Sequence, residues 1–131
     1  MTMGADMFDP LRQLPLLDDV QLEMLREALD EDELRAMLSE LPQAAMQAID
    51  SIEVAVRSND LVEARRSAHV LKGVASSFGA ARLGAMACEI ELVMAAIDCI
   101  AKCLPDLIAA VEQTAAAFPG GSEQPLVQVA S

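Results

Sequence analysis

The hydrophobic residues of this chain recur every three or four positions over most of its length, which is the period of an amphipathic helix. The period is clearest in residues 61–78, where the apolar positions are spaced by 3, 4, 3, 4 and 3: Leu61, Ala64, Ala68, Leu71, Ala75 and Phe78. Gly79 follows directly, and glycine commonly ends a helix. No segment shows the strict alternation of a strand, so the pattern predicts an all-α protein.

Two helices are predicted before this segment. A short first helix is capped by Asp18 or Asp19, and a second begins in the acidic cluster of residues 30–33, because carboxylates favour a helix N-terminus. The apolar stripe of the second helix continues to Val56. Pro42 lies inside that stripe and predicts a kink or a break, because proline cannot donate a backbone hydrogen bond.

Two further helices are predicted after Gly79. The fourth carries Leu83, Met86, Ile90, Met94 and Ile97, and the fifth carries Ile100, Leu104, Leu107, Val111, Thr114 and Phe118. Their boundary, between residues 97 and 102, is the least defined, and Pro105 is acceptable only near the start of the fifth helix. Short connections favour antiparallel neighbours. The expected fold is an antiparallel up-down four-helix bundle with a short additional N-terminal helix, over residues 18–118, between a flexible lead-in (1–17) and a flexible tail (119–131).

The composition agrees with closely packed helices. Hydrophobic residues make up 53% of the 131 residues, Ala occurs 23 times, and there is no Trp or Tyr. The formal net charge of −12 argues against nucleic acids and against anionic membrane surfaces, since both recruit basic proteins. Three cysteines and one histidine predict reduced thiols and make a zinc site improbable.

The termini and the uncharged segments bear on localisation. No uncharged run approaches the roughly 20 residues of a membrane-spanning helix. The N-terminus lacks a basic segment followed by an apolar stretch, so no secretory signal is expected. These features predict a cytoplasmic protein. The initiating Met and the self-contained helical pattern favour a free-standing protein, which we expect to be a monomer, over a domain cut from a larger protein.

The single histidine, His69, is the strongest candidate for chemistry. It follows the apolar position Ala68, so it lies at the edge of the buried face and reaches solvent. Its neighbours one and two turns away on the helix are Arg65, Lys72, Gly73 and Ser76. Glycine inside a helix costs about 0.5–1 kcal/mol relative to alanine, so Gly73 suggests that something approaches the helix closely there.

The acidic residues are absent from the sequence around His69. Residues 64–88 contain no Asp or Glu, although the chain has 21 of them, and they contain Arg65, Arg66, Lys72 and Arg82. A locally positive segment in an acidic protein suits an arriving anion. The competing interpretations are a plain surface histidine and plain solvated charges.

Residues 69–83, HVLKGVASSFGAARL, closely resemble the signature of histidine-containing phosphotransfer (HPt) domains. Ala68 and Glu91 also suit the looser family pattern, and the helix order fits over residues 18–118. The resemblance implies that His69 accepts a phosphoryl group from a phospho-aspartate on a response-regulator receiver domain and passes it to another receiver. It also implies that Lys72 pairs with the phosphoryl oxygens and that Gly73 admits the receiver.

The resemblance further implies which partners and cofactors to expect. The chain has no ATP-binding motif and is expected to be a phosphocarrier and not an enzyme. It would need no cofactor of its own, with Mg²⁺ held by the receiver, and its partners would be receiver domains and a hybrid histidine kinase. Candidate partner-binding residues are Arg65, Arg66, Ser76, Val20, Met24 and Arg82. The alternative function is an HPt-like interaction module that binds and inhibits a kinase or receiver without carrying phosphate.

Overall fold

The computed structural model describes residues 10–118 and shows six α-helices and one short 3₁₀ turn, at Leu11–Gln13. The helices are α1 (Asp19–Ala28), α2 (Glu31–Leu38), α3 (Leu41–Arg57), α4 (Leu61–Ser77), α5 (Ala81–Leu92) and α6 (Ile97–Ala117). No strand occurs among the described residues. The all-α prediction is therefore confirmed.

Helices α3 to α6 form the bundle. Helix α4 packs between α3 and α5, and α6 closes the bundle against α3 and α5. Connections of three or four residues join these helices, so consecutive helices run antiparallel. The core contains the apolar faces of all four, and Ile52, Leu71, Ile90 and Leu107 are among its fully buried members. The up-down four-helix bundle is confirmed, and two short helices, α1 and α2, precede it where the sequence predicted one.

Local capping explains where the helix that carries His69 begins and ends. The carboxylate of Asp60 accepts a hydrogen bond from the backbone amide of Glu63 and so caps the start of α4. At the other end Gly79 adopts φ +69, and the amide of Ala80 donates to the carbonyl of Ala75 at 2.9 Å. This Schellman arrangement needs a left-handed residue, which glycine supplies without strain.

The predicted second helix is two helices, α2 and α3. They are separated at Ser39 and Glu40, and Pro42 lies in the first turn of α3. A proline is well tolerated there, because the first amides of a helix have no intrahelical partner. The predicted break is confirmed. Asp30 and Glu33 form a reciprocal capping box at the start of α2, as the acidic cluster indicated.

The predicted boundary of the last two helices was placed too late. Helix α5 ends at Leu92, because the amides of Val93 and Met94 both donate to the carbonyl of Glu89. Met94 therefore lies in the connection, although it is buried, and Ile97 begins α6. Pro105 consequently lies inside α6 and not near its start.

The N-terminal elements pack across the end of the bundle. The amide of Asp18 donates to the carbonyl of Gly79 at 2.8 Å, and Gln21 Nε2 donates to the carbonyl of Ser76 at 2.6 Å. Within the predicted lead-in, Arg12 pairs with Asp106 at 2.9 Å. The first nine residues of that lead-in and the predicted tail, 119–131, lie outside the described residues. No helix within residues 10–118 is both long and apolar enough to cross a membrane.

Candidate functional site

The exposed face of α4 carries His69. Its neighbour Ala68 is fully buried in the core, whereas 64% of the His69 side chain is exposed. One residue turns a helix by about 100°, so the register that buries Ala68 brings the imidazole to the surface. The predicted position of His69 at the edge of the buried face is what the structure shows.

A carboxylate from the next helix holds the imidazole. Glu91 of α5 places Oε2 2.7 Å from His69 Nδ1, and its Oε1 lies 3.0 Å from Lys72 Nζ. His69 and Lys72 are one helical turn apart on α4, so one carboxylate of the facing helix contacts both. The Glu91 side chain is only 19% exposed, in contrast to the imidazole that it holds.

The charges of this cluster stabilise one another. The contact with Lys72 lowers the pKa of Glu91, and the contact with His69 acts in the same direction, while desolvation opposes both. The same Glu91 contact raises the pKa of Lys72. Glu91 is thus held as a carboxylate and Lys72 as an ammonium at neutral pH. Because an ionised carboxylate only accepts hydrogen bonds, Nδ1 of His69 carries the proton that faces it.

This geometry fixes which nitrogen of the ring is available. With Nδ1 donating to Glu91, Nε2 of the neutral imidazole keeps its lone pair. The ring is exposed, so this lone pair can meet a group arriving from solvent. The site therefore presents an oriented nucleophilic nitrogen at the surface of the bundle.

The interpretation of residues 64–88 as a locally positive surface needs correction. Glu91 lies just beyond that segment in sequence but contacts both His69 and Lys72 in space.

Two of the three arginines in the segment have partners within the chain. Arg66 pairs with Glu63 at 3.1 Å, and Arg82 donates to the carbonyl of Leu14 at 2.8 Å and contacts Gln113. Of the four cations in the segment, Arg65 alone has no hydrogen bond or ion pair within the described part of the chain.

Gly73 lies one turn after His69 and faces open space. A Cβ added at Gly73 would meet no atom of the chain within 4 Å. Packing within the protein therefore does not require glycine at this position. Gly79 differs from Gly73, because its positive φ of +69 is a backbone conformation that favours glycine.

The remaining predicted site residues lie toward the C-terminal end of α4. Ser76 is exposed, and its carbonyl binds Gln21 of α1. Val20 and Met24 of α1 are exposed by 72% and 64%. A groove of about 220 Å³ separates α1 from the α4–α5 pair and is lined by Asp18, Gln21, Lys72, Ala75, Ser76, Gly79, Ala80, Ala81 and Gly84.

The other candidate ligands do not converge. Within residues 10–118 no group of three or more His, Cys, Asp or Glu side chains is arranged to hold a metal ion. All three cysteines are free thiols, but only Cys103 is buried, whereas Cys88 and Cys99 are partly exposed. Burial raises the pKa of Cys103 to about 11. Cys103 Sγ contacts Met94 Sδ at 3.7 Å, which is a packing contact.

Glu91 is the functional contact that sequence reasoning left without a role. It appeared only as part of the family pattern, because it lies 22 residues after His69. The signal was present in the turn at Gly79: His69 precedes this glycine by about three helical turns, and Glu91 follows it by a similar distance. In an antiparallel hairpin of helices, such positions face each other.

The fold and the site together define a helical bundle that presents a single oriented histidine for exchange with a partner. A family model described as Hpt domain matches residues 36–117, more than half of the chain. The chain belongs to the Hpt domain family, as the resemblance of residues 69–83 indicated. Hpt domains act in phosphotransfer of two-component signalling, as phosphocarriers that interact with response-regulator receivers. No curated protein and no solved structure matches the chain.

Proposed function

We propose that this protein is a phosphorelay intermediate in which His69 accepts a phosphoryl group from the phospho-aspartate of one receiver and passes it to the aspartate of another. The observation that carries the proposal is the 2.7 Å contact between Glu91 and Nδ1 of His69, which leaves Nε2 exposed as the nucleophile. A neutral imidazole nitrogen is a good nucleophile near pH 7.

The transfer step exchanges one bond for another at phosphorus. Nε2 of His69 forms the N–P bond while the P–O bond to the receiver aspartate breaks, and the aspartate leaves as a carboxylate. The ring keeps its Nδ1 proton and gains positive charge as the bond forms. Glu91, already ionised and in contact with Nδ1–H, stabilises that charge without reorganisation. Transfer to the second receiver reverses these steps.

Lys72 and Gly73 serve the arriving phosphoryl group and receiver. The ammonium of Lys72 contacts the same carboxylate as the imidazole, and the Lys72 side chain is 32% exposed, so it can pair with phosphoryl oxygens. The open space over Gly73 admits the receiver next to Nε2. No metal ion of its own is proposed for this chain. Mg²⁺ is expected on the receiver.

The docking surface is proposed to extend from α4 to α1. Val20, Met24 and Ser76 are exposed and available to a receiver. Arg66 and Arg82 already have partners within the described residues, so the proposed docking surface does not include them. We place the protein in the cytoplasm as a monomer with receivers and a hybrid histidine kinase as partners.

A phosphate-transfer experiment tests this function. The protein is mixed with a phosphorylated receiver from the same organism, and acid-labile, base-stable phosphate on the chain is measured. The wild type should acquire this phosphate, and His69→Gln, which keeps a polar side chain of similar size, should acquire none. Phosphate retained by His69→Gln would contradict the assignment. A chain that binds receivers but never takes phosphate from any of them would instead be an interaction module.

A further inference from the structure

Arg65 is a half-buried cation that the fold leaves without a partner. Its Nε is buried, yet no atom of the described residues accepts a hydrogen bond from it. No ion pair of Arg65 exists within residues 10–118 either. Buried polar groups in folded proteins are almost always hydrogen-bonded, so the unsatisfied Nε shows that the described residues do not hold this guanidinium, and its Nη atoms stay available to a partner.

Within residues 10–118, Arg65 also carries a charge beside the histidine that no anion compensates. It lies one helical turn before His69, on the same face of α4. Glu91 and Lys72 neutralise each other beside the imidazole. The neighbouring Arg66 is neutralised by Glu63. Arg65 is therefore a cation close to His69 that no carboxylate of the described residues neutralises.

The surface around Arg65 has the composition of a docking surface. Leu92 and Val93, the residues after Glu91, are 63% and 54% exposed. Helices α4 and α5 run antiparallel with His69 opposite Glu91, so the turn of α4 that holds Arg65 faces the residues that follow Glu91. Apolar side chains around an arginine are typical of the energetically important part of an interface.

We propose that Arg65 binds a carboxylate of the receiver beside its phospho-aspartate and so orients the receiver over His69. The inference rests on the proposed phosphorelay function and deepens it by naming a partner group. A receiver that holds Mg²⁺ does so with carboxylates, because Mg²⁺ prefers oxygen ligands, so the surface that reaches His69 is acidic. A planar guanidinium matches a carboxylate with two parallel hydrogen bonds, and the two Nη atoms of Arg65 can supply them at the surface while Nε stays buried.

Transfer kinetics with Arg65→Gln and Arg66→Gln test this role. Both variants remove one positive charge from adjacent positions of one helix, but within residues 10–118 only Arg66 of the two has a partner. Single-turnover transfer is measured at increasing concentrations of phosphorylated receiver. We expect Arg65→Gln to raise the half-saturating receiver concentration roughly tenfold and to leave the maximal rate within about twofold of wild type. Arg66→Gln should change both values less than about twofold.

Two further measurements separate docking from other roles of Arg65. Arg65→Lys keeps the charge but loses the planar fork, so its half-saturating concentration should lie between those of wild type and Arg65→Gln. The lifetime of the phosphorylated chain, isolated from the receiver, should be unchanged in Arg65→Gln. A shortened lifetime with unchanged half-saturation would mean that Arg65 binds the phosphoryl group on its own chain, and it would overturn the docking role.

The inference and the proposed function fail in different ways. If the wild type takes phosphate normally and Arg65→Gln has the same half-saturating concentration as Arg66→Gln, the inference about Arg65 is wrong and the relay function stands. If the wild type neither binds nor takes phosphate from any receiver, the relay function is wrong and the role of Arg65 falls with it.

Discussion

The two faces of α4 are specified in different ways. The inward face, with Ala64, Ala68, Leu71 and Ala75 fully buried, depends on packing against α3 and α5. The outward face depends on one carboxylate of α5, since Glu91 sets the orientation of His69 and the charge balance of Lys72. The comparison separates the residues that keep the helix folded from those that give it chemistry.

Gly73→Gln, on the outward face of α4, should have the largest effect: it should abolish phosphate transfer without lowering the stability of the protein. The new side chain would occupy the open space that we assign to the receiver, so transfer should fall below detection. Glycine is the poorest helix former after proline, so the variant should be about 0.5 kcal/mol more stable than wild type. Phosphate transfer and urea unfolding are measured on the same preparation.

Gly79→Ala is the matched control for that variant. Gly79 has φ +69, and an L side chain in this conformation costs roughly 1–2 kcal/mol. This variant should therefore be less stable but should transfer phosphate normally once folded.

A folded Gly73→Gln protein that transfers at the wild-type rate would refute the idea that the receiver approaches over Gly73.

Leu71→Ala, on the inward face, should have the opposite effect: it should lower the stability of the protein and leave phosphate transfer intact. Leu71 lies between His69 and Lys72 in sequence, but its side chain is fully buried. Truncating such a leucine lowers the free energy of unfolding by about 2–5 kcal/mol, because apolar burial is lost and a cavity is left. Urea unfolding should show this loss, and the folded fraction should still take phosphate. Val70→Ala is the control: this half-exposed neighbour should cost less than about 0.5 kcal/mol. Equal losses at the two positions would contradict the assignment of the faces.

The inward faces of the helices could be predicted from the sequence because the buried positions of an amphipathic helix recur with the helical period. The apolar spacing of α4, the glycine after it and the acidic cap of α2 all indicate local structure through local chemistry. The boundary between α5 and α6 was missed because no residue there has a strong preference. The carbonyl of Glu89, shared by two amides, ends α5, and such backbone closure has no sequence signature.

The candidate site could be predicted only in part. The motif located His69, Lys72 and Gly73 because they share one helix. The charge around His69 could not be read along the chain, since Glu91 approaches from another helix and cancels Lys72. Within the described residues Arg65 has no partner whereas the adjacent Arg66 pairs with Glu63, and the sequence alone did not distinguish the two arginines.

The position of the phosphoryl group on the imidazole ring tests the central claim most directly. Nuclear magnetic resonance of the phosphorylated, ¹⁵N-labelled protein distinguishes phosphate on Nε2 of His69 from phosphate on Nδ1. Because Glu91 holds Nδ1 at 2.7 Å, we predict that phosphate is found on Nε2 alone. Phosphate on Nδ1, or on any residue other than His69, would contradict the account.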